Sequence, residues 1–349
     1  MMKNTLLATL SLWLVASASA MEPVAPLFAD DVILEAELVA PIAAAYGQKG
    51  RDEREWHQGT WTISTPDGDQ VSLDVGIRSR GVFRRKNCRL PPLRLNFKKK
   101  QAENTLFDGQ DKLKLVAPCK KTNNAQHHVI LEYLAYRALN VLTDDSLRVR
   151  LVRLKYVDSN GKKKPWTHLT FLIESEQGLA ARRGLQVHHV PRLNSGQLDA
   201  EKTALVEVFQ LLIANNDYST IRGPEGRDCC HNVEIIGPAD ATHGLIPVPY
   251  DFDASGLVNT GYAAPPEKLP IKSVRKRYFR GRCKAPEVWA PTFAKFQEKR
   301  GEIISLFADS PELSQRLKKK TIQYVEKFYA ILDNPKRLKN EIVDRCYGR

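Results

Sequence analysis

The chain has 349 residues, 42% of them hydrophobic, which is enough to bury a substantial core and excludes disordered and fibrous classes. Lysine and arginine number 53 against 40 acidic residues, a formal net charge of +13, so the first partners to consider are nucleic acid or another polyanion. Glycine and proline, 20 each, leave no collagen-like or low-complexity reading.

The first twenty residues change the address. Lys3 precedes an apolar run, Leu6 to Val15, and Ala18-Ser19-Ala20 offers a small-x-small cleavage site. That order predicts a secretory signal over residues 1–20, too short to span a bilayer. The mature protein is expected to be periplasmic or secreted, without a transmembrane segment. Export removes the usual nucleic-acid partners. It also makes disulfides the expected state of the six cysteines, Cys88, Cys119, Cys229, Cys230, Cys283 and Cys346. Adjacent Cys229 and Cys230 are expected to reach two different partners. No pair of C-x2-C or H-x3-H groups proposes zinc.

From Val32 to about Leu115 the pattern alternates as strands do. Residues 60–65 and 71–77 flank Pro66-Asp67-Gly68-Asp69 and predict a hairpin. Leu93–Phe97 and Lys112–Val116 predict two more strands. Leu131, Leu134, Ala135, Ala138 and Leu142 then fall on one helical face. Residues 148–156 and 169–173 return to alternation around an Asp158–Gly161 turn. The first half is therefore expected to be a sheet of about six strands, with one helix inserted before the last pair.

The second half reads as more helical. Asp199 can cap a helix to about Ala214. Two further helices are expected over 286–307 and 311–332, the latter starting at Ser310-Pro311. Polar stretches interrupt these helices, and two carry acidic clusters: Asn215-Asn216-Asp217, directly after a helix, and Asp251-Phe252-Asp253. His231-Asn232 lies between them. If extended, Asp251 and Asp253 share one face. With Asn232 and Asp217 nearby, that is an oxygen-rich set suited to a hard cation such as Mg2+. A hard cation amid basic residues suits a phosphate-bearing ligand. Arg78–Lys86 and Arg275–Arg282 are expected to form a basic rim around this floor. His127-His128 and His188-His189 are not expected to chelate, because neighbouring helical side chains diverge by about 100°.

This order of parts resembles the protein-kinase-like fold, and in particular the spore-coat CotH kinase family and its exported bacterial relatives. Arg78-Ser-Arg-Gly-Val-Phe-Arg84 resembles that family's Arg-Gly turn over the phosphates, with Arg80 and Gly81 at its centre. Residues 92–98 are similar to its following basic strand. Tyr156–Glu174 looks like the strand pair ending in the hinge that holds adenine, at Glu174. Asn216-Asp217, His231-Asn232 and Asp251-Phe252-Asp253 look like the catalytic Asp and the metal-binding Asn and Asp-x-Asp.

The resemblance implies an α+β protein of kinase-like fold. It would have a sheet-rich N-lobe with one inserted helix over residues 21–174, and a mainly helical C-lobe carrying the metal and catalytic loops over 175–349. Asp217 would orient or deprotonate the attacking hydroxyl. Asn232, Asp251 and Asp253 would hold Mg2+ or Mn2+. A basic residue of the sheet, Arg94 or else Lys112 or Lys114, would contact the phosphates of ATP or another donor, and a sheet lysine would pair with Glu132. The implied substrate is an exported protein or glycan. Two other readings fit the same residues: a non-catalytic periplasmic binding module for an acidic ligand, and a metal-dependent phosphohydrolase.

Overall fold

The computed structural model describes residues 23–64 and 68–348. The expected export signal lies outside the described residues, as do Pro66 and Asp67 of the hairpin turn.

Seven strands form the first half: β1 (Leu34–Ala40), β2 (His57–Ser64), β3 (Gln70–Ser79), β4 (Leu93–Phe97), β5 (Lys112–Val116), β6 (Val149–Asp158) and β7 (Trp166–Ile173). They run in the order β1-β2-β3-β4-β5-β7-β6 and close on themselves as a barrel. The closing contact is a parallel pairing of β1 with β6, from Leu34 opposite Val152 to Ala40 opposite Asp158. All other neighbours are antiparallel. The expectation of a protein-kinase-like fold, with a sheet-rich N-lobe over a helical C-lobe, is therefore overturned. Strand alternation identified the strands but not their neighbours. β1 supplies hydrogen bonds to both ends of the sheet, and closure removes its exposed edges.

Alternation decides what fills the barrel. Leu34, Ala36, Leu38 and Ala40 are buried while Glu35 and Glu37 point out. Trp61, Val75, Leu95, Leu115, Leu154 and Leu172 join Leu38 in the interior cluster. The strands β6 and β7 are buried on both faces. Leu151, Leu169, Phe171 and Ile173 turn outward into a second core, which the helices build. That explains the unbroken apolar end of β7, the pattern of a strand covered on two sides.

The helices are α1 (Ile42–Gly47), α2 (Phe83–Asn87), α3 (Lys99–Ala102), α4 (Asn123–Leu142), α5 (Glu176–Arg182), α6 (Ala200–Leu212), α7 (Pro286–Glu298), α8 (Arg300–Ala308), α9 (Gln315–Leu332) and α10 (Pro335–Leu338). The inserted helix α4 begins where the Thr122 side chain accepts a hydrogen bond from the Ala125 amide. It lies between barrel and helices, so Ile130, Tyr133, Tyr136 and Leu139 are buried along with the predicted face. Asp199 caps α6 as expected, accepting from the Lys202 amide. The helix expected over 286–307 is broken at Lys299, and the one expected from Ser310-Pro311 starts later. Ser314 caps it by accepting from the Leu317 amide.

A small antiparallel sheet, β8 (Gln186–Val187), β9 (Val233–Gly237) and β10 (Ile246–Pro249), runs in the order β10-β9-β8. Its strands deliver His231-Asn232 and Asp251 to the site. Disulfides join Cys88 to Cys119 and Cys283 to Cys346. Cys229 and Cys230 bond to each other, against the expectation that they reach different partners. The other four cysteines pair among themselves and leave these two together. Three disulfides fit an oxidising compartment. Among the described residues no helix is long and apolar enough to cross a membrane.

Candidate functional site

A cleft of about 900 Å³ opens between the β3–α2 turn and the loops that follow α6 and β10. Its floor starts at the end of α6. Arg277 donates to the Leu211 and Leu212 carbonyls, satisfying acceptors that a helix end leaves free. Ala214 then turns into the left-handed region at φ 51°. Asn215 Oδ1 accepts from the Asp217 amide at 3.0 Å, which tightens the loop.

Asp217 is held from two sides. Its Oδ1 lies 2.7 Å from His231 Nε2. Asn232 Nδ2 donates to Asp217 Oδ2 at 3.1 Å and to its carbonyl at 2.7 Å. Ser219 and His231 exchange backbone hydrogen bonds and lock the two loops in register. Burial opposes ionisation of Asp217, but the His231 hydrogen bond and charge hold its carboxyl below the usual range. The same hydrogen bond raises the His231 pKa.

Asn232 and Asp251 both have left-handed backbone, at φ 53° and 61°. Side chains with a Cβ adopt that region only where surroundings enforce it, and such residues gather at functional sites. Here the Tyr250 amide donates to the Asn232 carbonyl at 3.0 Å, and the Asp251 amide to Tyr136 Oη of α4 at 2.9 Å. Asp251-Phe252-Asp253 is thus not the extended segment that alternation suggested. Asp251 and Asp253 still line one cleft, because Phe252 is driven fully into the core between them.

The carboxylates repel one another and meet two arginines. Burial and the neighbouring Asp253 push the Asp251 carboxyl up to about 6, against the pull of Arg84 and Arg80. Asp253 Oδ2 accepts from Tyr262 Oη at 2.7 Å and lies 3.6 Å from Arg84 Nε. Arg84 also donates to the Ala117 carbonyl and reaches Glu132 Oε2 at 3.3 Å. Burial pushes the Glu132 carboxyl up to about 8 against the opposing charge of Arg84, with Asp253 and Asp251 adding to the rise.

Of the residues expected from sequence, Arg80, Gly81, Asp217, Asn232, Asp251 and Asp253 line the same cleft. Arg94, Lys114, Glu132 and Glu174 do not. Lys114 pairs with Glu176 at 3.4 Å and lies over the Tyr250 ring, one residue behind the floor. Arg94 lies opposite Lys114 on β4. Glu174 is buried against Arg182 and accepts from the Arg148 amide, tying β7 to α5. Glu132 pairs with Arg84 of α2, not with the expected sheet lysine.

The second half of the expected basic rim also lies elsewhere. Arg275 donates to the Gly256 carbonyl, Arg277 to those of α6 and Tyr324, and Arg280 to those of Asn216 and Tyr218. Backbone carbonyls of helices and loops absorb charge that the sequence offered to a ligand. Sequence reasoning placed Arg84 only as one member of the basic rim Arg78–Lys86, and it gave His231, Tyr262 and Tyr136 no role at the site. Two of them had a signal: Arg84 ends the quoted Arg-Gly stretch, and His231 adjoins Asn232. Tyr136 and Tyr262 had none, since a tyrosine's hydrogen-bond partner is set by packing.

Among the described residues no group of three His, Cys, Asp or Glu is placed to hold a metal ion. Asp251, Asp253 and the Asn232 amide are oxygen donors on one wall. Mg2+ commonly takes one or two carboxylates and completes its shell with water and ligand phosphate, so this donor set suits a cation that arrives with a phosphate. The chain matches no family model and no curated protein.

Proposed function

We propose that the cleft binds a phosphate-bearing ligand together with Mg2+ or Mn2+, and that it transfers phosphate to a hydroxyl of an exported protein or glycan. The observation that carries this reading is the meeting of two arginines, Arg80 and Arg84, with Asp251, Asp253 and an ionised Asp217 in one cleft. Arginines without an acidic wall would suit any anion. Acids whose burial and crowding raise the Asp251 pKa gain most from a cation, and arginines beside them gain most from an anion.

In this reading Asp251 and Asn232, with Asp253 beside them, hold the cation. Bound there, it would neutralise phosphate charge as the phosphoryl group moves. Arg80 and Arg84 orient the non-transferred oxygens. Asp217 accepts a hydrogen bond from the acceptor hydroxyl and takes its proton as the new P–O bond forms and the old one breaks. His231 and Asn232 keep the Asp217 carboxylate aimed.

A second reading, binding without transfer, is favoured by one detail. Both Asp217 carboxylate oxygens already engage side chains, His231 on one and Asn232 on the other. A thermal-shift titration of wild type and Asp251→Ala with ATP, inorganic phosphate and Mg2+ or Mn2+ tests the shared part. At a hundredfold excess over Kd, about 2.7 kcal/mol of added stability should raise Tm by about 5 °C. The gain should need the cation and vanish in Asp251→Ala; no shift with any phosphate sinks both readings. Release or transfer of phosphate by wild type, lost in Asp217→Asn, separates transfer from binding alone.

A further inference from the structure

The mouth of the cleft carries a feature that phosphate binding does not use. Among the described residues the large hydrophobic side chains left exposed are Val32, Val82, Phe83 and Tyr347, and two of these four are consecutive and line the cleft. Phe83 is 51% exposed and Val82 53%. Water-facing apolar residues scattered singly need no explanation, but a paired set at a ligand mouth does.

This exposed ring is held firmly in place. Gly81 has φ 82°, the left-handed turn that lets the chain leave β3 and start α2. Arg85 Nε donates to the Gly81 carbonyl, while its Nη1 donates to the Lys49 and Arg51 carbonyls. Asn87 Nδ2 donates to the Phe83 carbonyl at 2.8 Å, and the Cys88–Cys119 disulfide anchors the end of the helix. A ring fixed before binding loses little entropy when something stacks on it.

Phe83 packs against Tyr262, with ring centroids 5.4 Å apart and planes inclined by 42°. Tyr262 Oη donates to Asp253 Oδ2 at 2.7 Å. The aromatic pair therefore adjoins the acidic floor directly. Ala263, Ala264, Pro265 and Pro266 continue that wall without a charge. Arg80 and Arg84 lie on the same turn as Phe83, so a cationic seat and an apolar planar seat sit within one short stretch of chain.

The geometry points to a ligand that is a phosphate monoester of a planar, apolar alcohol. Its phosphate would lie at Arg80 and Arg84, and its ring on Phe83 and Tyr262. This rests on the phosphate-binding reading and narrows it by substrate class. A bare phosphate leaves the Phe83 face wet. A sugar phosphate presents hydroxyls to the apolar side chains of Val82, Phe83 and residues 263–266.

Calorimetric titration of the full chain in Mg2+ with inorganic phosphate, glucose 1-phosphate and phenyl phosphate tests it. Phenyl phosphate should bind about tenfold tighter than phosphate, the scale of one aromatic stack. In Phe83→Ala that ratio, normalised to the variant's own affinity for phosphate, should fall to about one. Phe83→Leu keeps apolar area without a flat face, and should recover only part of it. Phosphate and phenyl phosphate binding alike would overturn the planar seat and leave the phosphate site standing. So would a ratio that survives Phe83→Ala, or glucose 1-phosphate matching phenyl phosphate. If none of the three binds, the phosphate-binding reading falls and the planar seat falls with it.

Discussion

The barrel interior and the cleft are built by opposite rules. Inside the barrel, regular strands bring Trp61, Leu38, Val75 and Leu95 together with no charge among them. In the cleft, the carboxyls of Asp217, Asp251 and Asp253 meet Arg80 and Arg84, and three residues with side chains hold left-handed backbone. The first region gains stability by removing apolar area from water. The second needs its charges balanced pair by pair, because an unpaired buried charge is far more costly than a missing methyl group. Stability and binding should therefore separate when each region is mutated.

The largest effects come from single deletions in either region, and the rescue tells them apart. Trp61→Ala should destabilise by about 3–5 kcal/mol through a cavity that no second substitution nearby repairs. Arg84→Met should also destabilise, by about 1–3 kcal/mol, because Glu132 and Asp253 lose the guanidinium that both face. Adding Glu132→Gln should return most of that loss in urea denaturation. A double variant no more stable than Arg84→Met would show that the pair does not balance the site.

A middle-sized effect is expected at Asp251. Its carboxyl is raised to about 6 from an ordinary value of 3.8. A raised carboxyl favours the folded state while protonated, so that stability is lost as pH rises from about 4 to 6. Asp251→Asn should remove that part of the pH dependence and gain about 1–2 kcal/mol at pH 7, after allowance for solvent screening. The same variant should lose cation-dependent phosphate binding. Stability that falls at pH 7 would mean Asp251 is a structural anchor and not a strained ligand-binding group.

The smallest effect is at His231. Its pKa is raised by Asp217, so the proton it holds stabilises the fold below the ordinary histidine pKa and leaves as pH rises through the higher value. An NMR titration should find its midpoint above that of an ordinary histidine, and Asp217→Asn should bring it back down. A midpoint unmoved by that variant would break the Asp217–His231 contact on which the catalytic reading leans.

Much of the local structure was legible in the chain. Period-two alternation marked β2 to β7, period 3.6 marked α4, and Asp199 announced the start of α6. Asp217, Asn232, Asp251 and Asp253 stood out as polar residues at the ends of apolar elements, whereas Arg80 and Gly81 were named through the family resemblance. Alternation failed at Asp251 because a hydrogen bond to Tyr136 and the burial of Phe252 reset the backbone there. The helix break at Lys299 was not read from the sequence either.

What the sequence determined alone was therefore the nature of its elements and the chemistry of its loops, because periodicity and residue type act over a few neighbours. What only the tertiary structure decided was which elements meet. Glu35 and Arg153, 118 residues apart, lie 3.0 Å from each other where the barrel closes. Arg84 takes Glu132 in place of a sheet lysine, and Arg277 and Arg280 turn to backbone carbonyls in place of a ligand. A charge or a strand edge carries no local mark of its partner. The choice falls to whichever group the packed chain leaves unsatisfied within reach.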